Sequence, residues 1–124
     1  MTIKNYYNLK NKKIIVTGHT GFKGSWLSMY LTNLGAKVYG VSNNIPTKPS
    51  HYRDLNLKKK IHKSIFLDIR NKKKLSSTIK KIKPDFIFHL AAQAIVKKSF
   101  DDPILTWQTN TIGTLNILES LRSL

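Results

Sequence analysis

A chain of 124 residues with 40% hydrophobic and 23% charged side chains is large enough for one hydrophobic core but not for two, and has the make-up of an ordinary globular domain. Zero cysteines exclude a disulfide framework, a thiolate metal site and a cysteine nucleophile, and no apolar run reaches the length of a membrane span. The net charge of +16 invites a polyanion, yet only Arg53, Arg70 and Arg122 of the 22 basic residues are arginine, and the lysines fall in short clumps without interleaved aromatics. That pattern reads as a solvated surface, so neither nucleic acid nor membrane is an expected partner. The opening residues hold no apolar stretch of the kind a secretion signal needs, and the cytoplasm is the expected compartment.

Residues 1–11 are polar and read as a lead-in to one domain at 12–124. The contiguous apolar run Ile14, Ile15, Val16 predicts a buried strand over 12–17. After the segment GHTGFKG at 18–24, a helix is expected over 22–34, with Leu27, Leu31 and Leu34 on one face and Gly35 as its left-handed terminator. A second strand is expected over 36–42. An irregular stretch carrying Pro46 and Pro49 then fills 43–60, followed by a third strand over 61–67. Leu75, Ile79 and Ile82 share a face of a helix over 71–82, and DFIFHL at 85–90 reads as a fourth strand. The last helix begins at Asp102-Pro103, where aspartate caps free amides and proline suits the first helical position. It is expected to run through Ile112, Leu115 and Leu118 to the end. Strands alternating with helices imply a parallel sheet covered on both faces. The expected fold is α/β, a partial Rossmann-like doubly wound sheet of four strands in the order 3-2-1-4.

The strongest motif is strand, then Gly18-His19-Thr20-Gly21-Phe22-Lys23-Gly24, then helix. One glycine permits the tight turn, one lets the backbone approach a pyrophosphate, and one lets the helix pack against the strand. The helix start offers unpaired amides and a partial positive charge to an anion. Lys23 opposes the helix dipole in the first turn, which is reasonable where an anion sits. The competing reading is a glycine-rich turn that merely packs, with Lys23 reaching into water.

The spacing Gly-x-x-Gly-x-x-Gly is that of the extended short-chain dehydrogenases/reductases. The run VTGHTGFKGSWLS at 16–28 resembles the CDP-glucose 4,6-dehydratases in particular: related epimerases and dehydratases usually have an aliphatic residue where Lys23 stands and do not continue with Ser25-Trp26. Similar blocks follow in order, IPTKPSHY (45–52), DIRN (68–71), PDFIFHLAAQ (84–93), VKKSFDDP (96–103) and TNTIGT (109–114), so that the resemblance covers residues 12–121.

The resemblance implies an NAD cofactor and, in the whole enzyme, CDP-glucose as substrate and a homo-oligomeric assembly. It implies that Gly18, Gly21 and Gly24 form the pyrophosphate turn, lined by Thr20, Phe22 and Lys23. Asp68 and Ile69 would hold the adenine, the carboxylate accepting from its amine and the aliphatic side chain packing on its ring; the alternative for Asp68 is capping of the next helix. Leu90, Ala91, Ala92 and Gln93 would let ribose and phosphates approach the backbone. Asn110 would organise an active-site hydrogen-bond network, or else simply bond nearby backbone. Ser99, in the loop before the last helix, resembles a position near nicotinamide or sugar. Where relatives often carry an acid for the ribose hydroxyls, this sequence reads Ser42-Asn43-Asn44; Asn43 can still bond a hydroxyl, and no arginine beside it favours NADP.

His89, inside an apolar strand, reads as a core residue with satisfied nitrogens. No catalytic residue can be placed. The family reaction calls for a Tyr-x-x-x-Lys pair, and none of Tyr6, Tyr7, Tyr30, Tyr39 and Tyr52 has a lysine four residues later in a plausible site. The catalytic residues are therefore expected beyond Leu124, and the chain is expected to be about the first third of an enzyme and inactive alone. Phe86, Ile87 and Phe88 would then lie on an open apolar edge that favours self-association. A sugar-nucleotide epimerase of the same superfamily and a stand-alone nucleotide-binding module are the alternatives.

Overall fold

Both faces of the central strand are covered, which is why its apolar residues run on without alternation. In a computed structural model, which describes residues 8–122 and 124, this strand is β1 (Lys13–Thr17), and Ile14, Ile15 and Val16 are completely buried. It pairs in parallel with β2 (Lys37–Ser42), with Ile15 opposite Tyr39, and with β4 (Phe86–His89), with Ile15 opposite Ile87. On its far side β2 pairs in parallel with β3 (Lys63–Phe66), giving the order β3-β2-β1-β4 that the alternation of elements implied. Between the strands run α1 (Phe22–Asn33), the short helices α2 (His51–Asp54) and α3 (Leu57–Lys60), and α4 (Lys72–Ile82). After β4 come α5 (Val96–Asp101), α6 (Pro103–Trp107), a π-helical turn (Gln108–Ile112) and α7 (Gly113–Leu121). Residues 1–7 of the expected lead-in, with Tyr6 and Tyr7, lie outside the described residues.

The sheet separates two cores. Ile14, Val16 and Val38 pack with Leu31 of α1 and with Tyr52, Leu57 and Ile61. On the other face Ile15 and Val41 pack with Leu75, Ile79 and Ile82 of α4 and Ile117 of α7. Each fully buried aliphatic side chain adds about 1.5–3 kcal/mol by leaving water.

Local chemistry sets the element ends. Gly35 follows α1 with φ +82° and donates its amide to the Thr32 carbonyl. Asn71 caps α4 by accepting from the Lys74 amide, and Asp102 caps α6 by accepting from the Leu105 amide, with Pro103 in the first turn.

The helices and the stretch before β3 depart from the sequence reading in four places. The stretch 43–60 is not irregular throughout, because Tyr52 and Leu57 fold into the first core on α2 and α3. On α1 the buried face is Gly24, Ser25, Ser28 and Leu31 rather than a leucine stripe, and Leu34 is exposed just past the helix end. Small residues let this helix lie close to the turn before it. The last helix is not continuous: it is interrupted by the π turn, and its buried face is Gly113, Asn116, Ile117 and Ser120. Ile112, Leu115 and Leu118 point outward instead. Ser99 lies within α5, not in a loop, and its hydroxyl donates to the Val96 carbonyl.

Candidate functional site

Four loops meet at the carboxyl ends of the parallel strands, where open α/β sheets place their ligands. The order reverses between β1 and β4, so the corner after β1 and the loop after β4 flank that switch point. The three glycines of the corner have three different environments. Gly18 has φ +75°, and a Cβ there would sit 2.8 Å from the Ala91 amide nitrogen and the Leu90 carbonyl. A Cβ on Gly24 would come within 2.0 Å of the Gly18 carbonyl oxygen, so α1 lies directly on the turn. At Gly21 a Cβ would meet only that same oxygen, at 3.3 Å. Position 21 is therefore open to the outside, while 18 and 24 are closed by the protein's own backbone.

Gly21 donates its amide to Gly18, and Ser25 donates to the Gly21 carbonyl. The amides of Phe22, Lys23 and Gly24 open the helix with no side chain capping them. Phe22 and Lys23 are exposed, and Lys23 forms no ion pair among the described residues. Thr20 does not line this corner. It is buried, its amide donates to Ser42 Oγ at 3.3 Å, and its hydroxyl donates to the Asn44 carbonyl at 2.6 Å. Its bonds tie the corner to the end of β2 and commit both of its donors.

Asn43 is exposed beyond β2, and Asp68 stands beyond β3 beside an open cleft of about 580 Å³ lined also by Arg70, Asn71, Gln108 and Ile112. Asp68 does not cap α4, since Asn71 does; its carboxylate instead accepts from the amide and guanidinium of Arg70. Those hydrogen bonds hold its pKa below the usual carboxylate range. Ile69 departs from expectation. Its side chain is buried in the second core under Gly113, where a Cβ would meet Ile69 Cδ1 at 2.5 Å, so it is turned away from any ring in the cleft. This contact also accounts for a glycine in the middle of the last helical stretch.

Leu90 and Ala91 are held by Thr17, whose Oγ1 accepts both of their amides at 3.1 Å. With its acceptor positions filled, the Thr17 hydroxyl donates to His89 Nδ1 at 2.7 Å. His89 Nε2–H then donates to Thr114 Oγ1 at 2.9 Å, and Thr114 donates onward to the Asn110 carbonyl. Both nitrogens of His89 are satisfied, as a core histidine requires, and burial lowers its pKa. Ala92 is exposed and Gln93 half-buried. The Asn110 side chain brackets the Gln93 backbone, accepting from its amide at 2.8 Å and donating to its carbonyl at 3.1 Å. Asn110 sits on the π turn and ties it to the loop after β4. Leu124, beyond which the catalytic residues are expected, takes no part in the site: its side chain is exposed and its amide donates to the Leu121 carbonyl at the end of α7.

One residue central to the corner went unread in the sequence. The ring of His19 is wholly buried beneath the turn, with Nδ1 2.9 Å from Ser42 Oγ and Nε2 2.7 Å from Ser64 Oγ. Ser64 in turn bonds the Tyr52 hydroxyl at 2.8 Å, and the Tyr52 ring meets His19 edge-on. Burial pushes the His19 pKa down to about 4. The only signal was Gly40 inside a strand, a mark of something packed closely against the backbone. Among the described residues no cluster suits a metal ion, and no helix is long and apolar enough to cross a membrane.

The sequence model of the family described as GDP-mannose 4,6 dehydratase matches residues 15–124. The chain belongs to this family. Among its relatives, the CDP-glucose 4,6-dehydratase of Salmonella typhimurium is 43% identical over 98% of this chain and 33% of its own length. A GDP-mannose 4,6-dehydratase of Vibrio cholerae serotype O1 is 32% identical over 92% of this chain and 32% of its own length. The solved structure of UDP-glucose 4-epimerase from Thermus thermophilus in complex with NAD superposes with a TM-score of 0.77 at 32% identity, over 90% of this chain and 34% of that one. The chain thus spans about a third of the length of the relatives it matches.

Proposed function

We propose that residues 12–124 form the NAD-binding portion of a sugar-nucleotide 4,6-dehydratase that acts on CDP-glucose. The observation that carries this reading is the open face at Gly21, next to the unpartnered first-turn amides of α1. A Cβ at that position would fill the space a diphosphate needs, so the residues present fit the group. In this reading the amides of Phe22, Lys23 and Gly24 bind the diphosphate, and Lys23 adds a positive charge. Asn43 bonds a ribose hydroxyl, Asp68 accepts from the adenine amine, and Ala91 and Ala92 leave room for the ribose. Gln93, held by Asn110, shapes the loop beside them.

When bound, NAD would accept a hydride from carbon 4 of the sugar and return it at carbon 6 after water is lost across carbons 5 and 6. The residues of this chain bind and orient; the Tyr-x-x-x-Lys pair and the sugar pocket would belong to further sequence, and the cytoplasm would be the place of action. The relative at 43% identity favours the dehydratase over an epimerase, whose solved structure matches at 32%.

Calorimetric titration of the chain with NAD tests the reading. The parent should bind, and Gly21→Val should lose binding by more than about tenfold while keeping its melting temperature within a few degrees. A parent chain that releases no heat with NAD, or a Gly21→Val variant that binds as the parent does, would remove the basis for it.

A further inference from the structure

The cleft beyond β3 holds a side chain that no motif assigned, Arg70. Its Nε lies 3.1 and 3.0 Å from the two carboxylate oxygens of Asp68, its Nη2 lies 2.6 Å from Oδ2, and its backbone amide donates to Oδ1 at 2.9 Å. These bonds close around one carboxylate, and both side chains line the same open cleft. Asn71, the next residue, is committed to capping α4, and Ile69 is buried in the core. The loop is thus anchored on both sides of Arg70, and its guanidinium holds the carboxylate in one orientation.

We infer that Arg70 is a positioning residue: by fixing Asp68 it makes the cleft select a purine bearing an amine at carbon 6 over one bearing a carbonyl. This rests on the reading of Asp68 as the base-binding carboxylate. An ionised carboxylate only accepts hydrogen bonds. The Arg70 amide and Nε reach Oδ1, and Nε, shared between the oxygens, and Nη2 reach Oδ2, so acceptor capacity is left on Oδ2 of a carboxylate that lines the cleft. An exocyclic amine there donates to it; a carbonyl presents a second acceptor and is repelled. The same hydrogen bonds from Arg70 lower the Asp68 pKa, which favours the acceptor-only form of the carboxylate. A carboxylate free to rotate into water could turn away from a carbonyl at little cost, and the discrimination would fall.

The test compares NAD with its hypoxanthine analogue, in which a carbonyl replaces the adenine amine, by calorimetry on the parent chain, Arg70→Ala and Arg70→Lys. The parent should prefer NAD by about tenfold or more, the worth of one hydrogen bond to a charged group. Arg70→Ala should weaken NAD and compress that ratio toward one, while Arg70→Lys, which keeps the charge but not the fork, should fall between. If Arg70 merely braces the turn, both ligands weaken alike and the ratio is unchanged, which overturns the inference and leaves NAD binding intact. A parent chain that binds neither ligand overturns the underlying reading as well. Arg70 is exposed, so the variants should fold, and their circular dichroism melts confirm that the ratio is read on folded protein.

Discussion

The imidazole of His19 occupies the place that a side chain at position 40 would need: a Cβ on Gly40 would lie 2.2 Å from His19 Cδ2. The ring cannot retreat, because Ser42 and Ser64 hold both its nitrogens and Tyr52 packs against it edge-on. Gly40→Ala should therefore overpack the sheet beneath the corner and cost about 2–3 kcal/mol. Urea unfolding of the two chains measures this. A variant within about 0.5 kcal/mol of the parent would show that the ring moves freely.

The same burial makes stability depend on pH. His19 has its pKa pushed down to about 4 by desolvation, against 6.5 for an unburied histidine. Below the ordinary value the unfolded chain takes up the proton and the folded chain does not. Stability is thus fully present above about pH 6.5, declines as pH falls toward 4, and changes no further from this group below that. The loss is on the order of 3 kcal/mol. His89, also lowered by burial, acts in the same direction. In denaturant titrations from pH 7 to 4, His19→Gln should remove most of the slope, and a slope as steep as the parent's would assign it elsewhere.

Much of this fold could be read in the residues, and what could not shares one cause. The glycine spacing, Gly35, the Asp102-Pro103 start and the Leu75-Ile79-Ile82 face are signals contained within a few residues, and each appears where expected. The role of His19 depends on Ser42, Ser64 and Gly40, which only the paired strands bring beneath the turn. The last helix misled for a related reason. Its most apolar stripe, Ile112, Leu115 and Leu118, faces outward, while Asn116 turns in to donate to the Ile69 carbonyl. Apolar periodicity marks a face that needs covering, and it does not say by what. Asp68 was placed correctly at the end of β3, but its bonds to Arg70 are side-chain geometry that spacing does not encode.

Thr17 is the support of the loop after β4. It accepts two amides and donates to His89, so Thr17→Val, of nearly the same shape, leaves the Ala91 amide and His89 Nδ1 without partners. Leu90 keeps its bond to the Thr17 carbonyl. The expected loss is about 2 kcal/mol, with faster amide exchange at Ala91. Thr114→Val disturbs only the far end of the chain of bonds and should cost less. Equal losses from the two variants would contradict a relay that begins at Thr17.

Gly24→Ala should lower folding and binding together, where Gly21→Val separates them. The added methyl would sit 2.0 Å from the backbone oxygen of Gly18, which no rotamer change relieves. Either α1 shifts off the turn or the turn opens, so melting temperature and NAD affinity should fall together. A variant that melts like the parent while losing NAD would mean that α1 has room to move and that position 24 contacts the ligand directly.

Self-association should follow from two exposed apolar regions. On β4, which pairs only with β1 among the described strands, Phe86 and Phe88 are 42% and 39% exposed. On the last helices, Ile104, Trp107, Leu115 and Leu118 are more open still. Large apolar side chains this exposed favour association where they form a patch, and an open strand edge adds unpaired backbone groups. Light scattering should show the average mass rising with concentration. The outward leucines contribute little to the fold, so Leu115→Glu with Leu118→Glu should lower the mass without lowering the melting temperature. If the mass still rises in that variant, the β4 edge is the dominant contact, and Phe88→Lys should then suppress it. A parent chain that stays monomeric from dilute to concentrated solution would contradict both routes.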